Sequence, residues 1–303
     1  ANIVNILIKN KFSVCLVDIG GDWAELNHPH DLSKFIIGTK AETLFRLRNK
    51  VKTSKILDQV SFTLHDWHKD EAGCLDVVVK KFYPNQVIIR SSSSNEDSFN
   101  NSNAGLFLSE LNINTQSKTE LKNSILNVFS SYNSDTKSEQ ILIQKMLENI
   151  TMSGVVMTRV KETGAPYYVI NIDKTTGRSD TITSGTSSDS TTYYILRNTN
   201  DTQLLHNKYI SKLIKAIKEI ELLLQYDTLD IEFAFTEKFQ LYILQVRPMV
   251  ITQKNWGIYD KKIYEKISKS KKLFVNYSKA QQKVRLDNGM ILYQYGKGIV
   301  PTK

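Results

Sequence analysis

The second half of the sequence is dominated by short segments rich in β-branched and aromatic residues. Gly, Ser, Thr or Asp residues separate these segments, which is the pattern of strands joined by turns. The segments are EQILIQKML (139–147), SGVVMTRV (153–160), APYYVINID (165–173), TTYYILR (191–197), LDIEFAF (229–235) and QLYILQVRP (240–248). A chain with this pattern folds around β-sheet.

Helical periodicity precedes and interrupts these strands, so the predicted class is α+β. The residues that define the helical stripes are Leu32, Phe35, Ile36, Leu44 and Leu47; Leu121, Ile125, Val128 and Phe129; and Leu205, Tyr209, Leu213, Ile217 and Ile220. Shorter apolar runs at 12–18, 75–80 and 86–90 are strand-like. We expect two lobes, because 303 residues with 41% hydrophobic content exceed what one core needs.

Composition excludes several classes of protein. The net charge of +9 is spread along the chain without an Arg-rich tract, zinc-finger spacing or RNA-binding motif, so we expect no nucleic-acid partner. The chain has two cysteines, Cys15 and Cys74, which is too few for a disulfide framework. No secretory segment or apolar run of about 20 residues is present, so we expect no membrane partner and a cytoplasmic location.

The stretch QVIIRSSSSNED (86–97) leads an apolar strand into an arginine and then into small polar residues. Arg90 at the end of a strand is placed to hold an anion, and Gly105 further along permits a close backbone approach to it. A solvated Ser/Asn linker would have the same composition. The stretch by itself leaves both interpretations open.

The closing pair of strands carries polar residues at alternate positions. Asp230 and Glu232 share one face of the first strand, and Gln245 and Arg247 share one face of the second. If these faces coincide, carboxylate and amide oxygens for Mg²⁺ lie beside a guanidinium for phosphate. The alternative is an edge hairpin with a surface ion pair.

Taken together, these motifs resemble the nucleotide-binding domain of phosphoenolpyruvate synthase and pyruvate phosphate dikinase, an ATP-grasp family. The motifs that carry the resemblance, in the family's order, are IGTKAETL (37–44), RSSSSNED followed by NAGLF (90–107), ILIQKML (141–147), SGVVMTR (153–159) and DIEFAF with LYILQVRPM (230–249). The resemblance implies an ATP-grasp fold with mainly antiparallel sheets, an ATP-dependent phosphotransferase activity, and ATP and Mg²⁺ as ligands.

The resemblance also implies roles for individual residues. Lys40, Arg90 and Arg247 match the phosphate-binding and catalytic cations, and Glu232 and Gln245 match the magnesium ligands. Gly105 and Ser109 match the loop that covers the phosphates. The residues that match the adenine-binding hinge are Gln144, Lys145, Met146 and Leu147.

The resemblance covers residues 36–250 and leaves 1–35 and 251–303 as terminal segments. Family members pass phosphate through a histidine on a separate domain, and none of the five histidines of this chain lies in such a context. We therefore expect a phosphocarrier domain elsewhere, as a partner, and a small-molecule acceptor. An inactive ATP sensor or a module that binds polyanions is the alternative.

Two further stretches bear on the acceptor. Gly177, Arg178, Ser179 and Asp180 stand where many relatives have G-L-G-E, so the resemblance to phosphoenolpyruvate synthase does not identify the acceptor of this chain. GGDWAELNHPHDLSKF (20–35) resembles the tail of sugar nucleotidyltransferases and indicates a role in surface-carbohydrate synthesis. Glutamine kinase, which phosphorylates the glutamine side-chain amide for capsular phosphoramidate, is the family member that fits this setting.

Overall fold

A computed structural model of the chain describes residues 9–11, 37–93, 108–132, 139–173, 190–198, 207–249, 251, 260–273, 292–295 and 298–301. Gly105, most of the segment 1–35 and the 177–180 stretch lie outside these residues. The helices are α1 (Lys40–Arg48), α2 (Leu64–Lys69), α3 (Glu71–Phe82), α4 (Lys118–Ser130), α5 (Lys208–Leu224) and α6 (260–273).

The strands form three sheets in which the paired strands are antiparallel. The first sheet has the order β1-β4-β2-β3, the second β7-β6-β5-β8-β9, and the last two strands pair alone. The strands are β1 (Gln59–Thr63), β2 (Gln86–Ser91), β3 (Ser109–Asn114), β4 (Gln140–Lys145), β5 (Ile150–Met157), β6 (Tyr167–Asp173), β7 (Ser190–Leu196), β8 (Leu229–Thr236), β9 (Leu241–Pro248), β10 (Leu292–Tyr295) and β11 (Gly298–Pro301). The predicted α+β class with two antiparallel lobes is confirmed.

Each large sheet has its own core. In the first lobe, α3 and α4 pack on the sheet, and the predicted stripe of α4 supplies Leu121, Ile125 and Val128, which are fully buried. In the second lobe, α5 contributes Leu213, Ile217 and other residues spaced three or four apart to a core with β5, β6, β8 and β9. The apolar faces of these helices supply the driving force for both lobes.

Strand β4 belongs to both cores because its side chains alternate between the two faces of the first sheet. Ile141 and Ile143 lie in the core of the first lobe, and Leu142 lies in the core of the second. Helix α1 fills the space between the lobes, since it packs against β9 of the second sheet and against β1 and β4 of the first. The inner face of the first sheet is therefore turned toward the second lobe.

One predicted strand is wrong. Residues 75–80 belong to α3, whose N-cap Asp70 accepts a hydrogen bond from the Gly73 N–H. Leu75, Val78 and Phe82 are buried at helical spacing while Val77 is exposed. The β-branched run LDVVVK has the composition of a strand, but capping and the burial of one face decide in favour of a helix.

None of the helices in the described part of the chain has the length and apolar content that a membrane crossing requires.

A network of charged side chains holds α6 on the second lobe. Arg159, just after β5, donates to both carboxylate oxygens of Asp260 at 3.0 and 2.9 Å and to Asp227 at 2.6 Å. Arg197, just after β7, pairs with the half-buried Glu221 and with Asp227. Burial would lower the pKa of Arg159, but its hydrogen bonds to the carboxylates of Asp260 and Asp227 outweigh this effect and raise the pKa. The guanidinium is therefore permanently charged.

Replacing Asp260 with Asn will release α6 without disturbing the sheet, because Arg159 keeps Asp227 as its partner. Two charge-assisted hydrogen bonds are weakened, and one such bond contributes about 1.5–3 kcal/mol. We expect amide exchange in residues 260–273 to accelerate by about 10-fold or more, with exchange in β8 unchanged. Glu265→Gln, an exposed change of the same charge in the same helix, is the control, and equal acceleration in both variants would contradict the prediction.

Candidate functional site

The first residues of the serine run belong to the folded core of the site. Ser91, Ser92 and Ser93 are all buried. Ser92 Oγ accepts a hydrogen bond from the Ala41 N–H at 2.9 Å, and its own N–H donates to the Tyr132 hydroxyl at 3.0 Å. The solvated-linker interpretation is therefore wrong for residues 91–93, which fix the beginning of α1 against the end of β2.

Lys40 is placed at this same point by the cap of α1. Thr39 and Glu42 form a reciprocal capping box, and Gly38 before them has a positive φ of 65°, which favours glycine. The Lys40 side chain is buried, and its ammonium donates to the Ser91 carbonyl at 3.1 Å. The lysine therefore lies next to the end of the strand that carries Arg90.

Arg90 crosses from the first sheet to the second. Its Nη1 donates to the Leu244 carbonyl at 2.8 Å, and its Nη2 donates to Glu232 Oε2 at 3.1 Å and to Gln245 Oε1 at 3.2 Å. The side chains of Arg90 and Glu232 are only 13% and 11% exposed. This arrangement brings an arginine of one lobe to both predicted magnesium ligands of the other.

The predicted coincidence of the polar faces of β8 and β9 is confirmed. Glu232 lies directly opposite Gln245, and Asp230 directly opposite Arg247. Arg247 donates to Asp230 Oδ2 through Nε at 2.9 Å and through Nη2 at 2.7 Å. Burial raises the pKa of Asp230 despite the charge of Arg247, and the nearby Glu232 adds to the increase. The two pairs place two carboxylates, an amide and a guanidinium on one face of β8 and β9.

The predicted hinge lies at the end of β4 in the first sheet. Gln144 is buried, Lys145 is exposed, and Met146 and Leu147 are half-buried just after the strand ends. The Met146 N–H donates to the Gln86 carbonyl at 2.9 Å, so this amide holds the end of β4 on β2. Gln144 shares the inner face of β4 with Leu142, which lies opposite Arg90.

Ser109 lies opposite Arg90 on β3, at the start of the strand, and is exposed. This places a hydroxyl side chain on the strand next to the arginine. Gly105, the other predicted residue of the phosphate-covering loop, lies outside the described residues.

The donors at the site fit a magnesium ion that is shared with phosphate oxygens. Glu232 and Gln245 offer oxygens that contact the same Arg90 nitrogen, and Asp230 Oδ1 is buried without a partner in the described structure. Across the described ranges, no group of three His, Cys, Asp or Glu residues is arranged to hold a metal alone. Mg²⁺ commonly takes one or two carboxylates and completes its octahedron with phosphates and water, so a two-ligand site suits it.

Two parts of the surroundings were not predicted from the sequence. Gln59 lies on β1, a strand that the patterns missed, and donates through Nε2 to the Ala41 carbonyl at 2.8 Å. Arg197 directly follows β7 and Arg159 lies two residues after β5, much as Arg90 lies near the end of β2. That shared position was a signal for an organising arginine, although these two arginines stabilise α6 and the second lobe instead of facing Glu232.

The family assignment comes from comparison with protein-family models. The model described as "Pyruvate phosphate dikinase, AMP/ATP-binding domain" matches residues 46–200, a little over half of the 303-residue chain. The chain belongs to this family. The match includes Arg90 and the predicted hinge, whereas Lys40, Glu232, Gln245 and Arg247 lie outside it, and their roles stay predictions.

Comparison with solved structures finds enzymes with distant similarity. The D-alanine-D-alanine ligase of Coxiella burnetii aligns with 81% of this chain and 59% of its own at 10% identity and a TM-score of 0.39. The D-alanine-D-alanine ligase of Helicobacter pylori aligns with 71% of this chain and 52% of its own at 15% identity and a TM-score of 0.40. N5-carboxyaminoimidazole synthase of Aspergillus clavatus, in complex with ADP and 5-aminoimidazole ribonucleotide, aligns with 71% of this chain and 45% of its own at 12% identity and a TM-score of 0.40.

The chain thus spans between about half and three fifths of the lengths of the ligases that it matches. Comparison with curated proteins gives no significant match. The assignment to the pyruvate phosphate dikinase family therefore rests on the family model.

Proposed function

We propose that this chain binds Mg·ATP between its two lobes and supplies the nucleotide site of a dikinase-type phosphotransferase. The observation that carries the proposal is the position of Arg90. Its Nη2 donates to both Glu232 and Gln245 of the opposite lobe. A guanidinium next to hard oxygen ligands is the arrangement that binds a metal-bridged polyphosphate. Family membership gives independent support for the nucleotide.

In this proposal, Lys40, Arg90 and Arg247 bind the phosphates. Lys40 acts as a point charge, and the two arginines offer planar forks that match pairs of phosphate oxygens. Glu232 and Gln245 hold Mg²⁺, which supplies charge neutralisation at the β- and γ-phosphates when bound. Gln144, Lys145, Met146 and Leu147 hold the adenine. Ser109, opposite Arg90 on β3, supplies the hydroxyl residue of the proposed covering loop.

The proposed catalytic contribution is positioning and neutralisation of charge. The site places three cations around two carboxylates, so it has a positive surplus before the nucleotide arrives. A histidine on a separate domain attacks the β-phosphorus of ATP, the bond to the α-phosphate oxygen breaks, and AMP leaves. Water then removes the γ-phosphate as inorganic phosphate, and the remaining phosphoryl group passes to a small acceptor, which we propose is the side-chain amide of glutamine.

Neutralising Glu232 tests the nucleotide site. In calorimetric titrations, the native chain will bind ATP more tightly with Mg²⁺ than without it, and Glu232→Gln will lose this dependence because a charged metal ligand is removed. Glu237→Gln makes the same change in the exposed turn between β8 and β9 and is expected to behave as native. A folded native chain that binds no adenine nucleotide would overturn the proposal and favour the polyanion-binding alternative.

The nucleotide product, AMP or ADP, distinguishes the proposed dikinase reaction from other uses of ATP. With a separately produced histidine domain of a family member and L-glutamine, phosphorus NMR is expected to show AMP and inorganic phosphate. Formation of ADP would contradict the dikinase step. Binding of ATP with no product under these conditions would favour an inactive ATP sensor.

A further inference from the structure

Gln59 and Gln144 face each other across β1 and β4 on the inter-lobe side of the first sheet. They are direct partners in the register of the two strands. Leu142, one inner-face position before Gln144, lies opposite Arg90 on β2. Two residues along a strand span about 7 Å. The two amides therefore lie between the phosphate-binding arginine and the hinge at Met146.

Both amides have an unsatisfied polar atom. Gln59 Oε1 and Gln144 Nε2 are shielded from solvent and lack a hydrogen-bond partner in the described structure. The residues themselves are 6% and 1% exposed. A buried polar atom without a partner is costly, and protein interiors rarely retain one without a reason. Two such atoms on neighbouring side chains at the inner face of one sheet indicate a place for a polar ligand.

The orientation of the Gln59 amide is fixed. Its Nε2 donates to the Ala41 carbonyl at 2.8 Å, and turning the amide over would set two acceptors against each other. The atom of Gln59 that lacks a partner is therefore an acceptor, Oε1. Gln144 presents a donor beside it.

We infer that Gln59 determines base specificity at the nucleotide site, together with Gln144. This inference rests on the proposed binding of ATP. Adenine offers an N6 amine as a donor next to a ring-nitrogen acceptor, whereas guanine has the O6 acceptor in place of the amine. Gln59 Oε1 accepts from the amine and Gln144 Nε2 donates to the ring nitrogen. A guanine O6 would meet the Gln59 oxygen as a second acceptor and be rejected.

The same contact connects the base to the phosphate end of the site. Gln59 is bonded to Ala41, and Ala41 is the neighbour of Lys40 in the first turn of α1. Gln59 therefore contacts the bound base and also holds the first turn of α1. Gln59 thereby joins the proposed site, although its strand β1 was not recognised in the sequence.

Nucleotide discrimination by the native chain is the first test. Calorimetric titration with ATP, ITP and GTP, each with Mg²⁺, is expected to show ITP and GTP binding at least about 10-fold more weakly than ATP, because each leaves the Gln59 acceptor unpaired. The base of ITP has an oxygen at the position of the adenine amine, and it lacks the extra amine of guanine. ITP binding equal to ATP binding would overturn the inference while leaving the proposed function intact.

Gln59→Met is the second test, since it keeps the length of the side chain and removes the amide. The ATP affinity is expected to fall by about 10-fold, with the GTP affinity little changed, so the ratio of the two falls. Gln140→Met is the matched control, because Gln140 lies on the same face of β4 and bonds Thr39 at the start of α1. It is expected to leave the ratio unchanged. Equal losses of ATP and GTP affinity in Gln59→Met would show that Gln59 is structural.

Discussion

Replacing Arg90 with Ala will abolish ATP binding in calorimetric titration. The substitution removes the three hydrogen bonds that join the end of β2 to Leu244, Glu232 and Gln245 of the other lobe. It also removes the fork that we propose binds the phosphates. Each hydrogen bond to a charged group contributes about 1.5–3 kcal/mol, so the loss of two phosphate contacts lowers the affinity by about 100-fold or more.

The same substitution leaves the Glu232 carboxylate buried without its partner, which destabilises the fold by about 3–5 kcal/mol in buried pairs of this kind. Thermal unfolding separates this effect from the loss of binding. The double variant Arg90→Met, Glu232→Gln removes both charges and is expected to recover much of the stability but none of the ATP binding. Recovery of ATP binding in the double variant would show that the pair serves the fold alone.

Arg48→Ala is the matched control for the removal of an arginine. Arg48 pairs with Asp58 at the surface, where the two side chains are 31% and 56% exposed. A surface pair of this kind contributes about 0–1 kcal/mol. We expect this variant to unfold near the native temperature and to bind ATP with native affinity.

Replacing Gly154 with Ala will destabilise the second lobe strongly. Gly154 lies in the middle of β5, and an added Cβ would lie 2.2 Å from the carbonyl oxygen of Asn171 and 2.7 Å from the ring of Phe233. The carbonyl belongs to the backbone of β6 and cannot move without opening the ladder between the strands. Overpacking of a core costs about 1–3 kcal/mol, and this backbone clash is expected at the upper end, about 3 kcal/mol.

Thermal unfolding measures this loss, and a fall of about 6–12 °C is expected for a domain of this size. Gly73→Ala is the control, since its Cβ would meet only the movable carboxylate of Asp70 among the nearest atoms. There, loss of the cap of about 1 kcal/mol is offset by the helix propensity of alanine, also about 1 kcal/mol. An unfolding temperature of Gly154→Ala equal to that of Gly73→Ala would contradict the prediction.

The sequence predicted the site most accurately where the geometry is local. A strand alternates its side chains with a period of two, so the common face of Asp230 and Glu232 could be inferred without knowledge of any neighbour. The structure confirms that this face meets Gln245 and Arg247 in register. The strands from 139 to 248 and the stripes of α4 and α5 were predicted for the same reason. Gly154 could be recognised from its motif, but its clash with Asn171 could not.

The helix α3 shows where local composition fails. LDVVVK is β-branched, yet Asp70 caps a helix there, and the first sheet buries Leu75 and Val78 on one side. The surface on which this segment packs decided whether it forms a helix or a strand. β1 was missed because QVSFT has too few apolar residues for its pattern to be recognised, and its place in the sheet depends on pairing with β4, far away in sequence.

The sequence by itself determined which residues alternate, which segments are strands or helices over most of their length, and which motifs belong to the pyruvate phosphate dikinase family. Only the tertiary structure decided that Arg90 of one lobe meets Glu232 and Gln245 of the other, and that Gln59 lies opposite Gln144. The physical reason is that periodicity fixes the direction of a side chain relative to its own strand. The partner that it meets depends on how two sheets and α1 pack together.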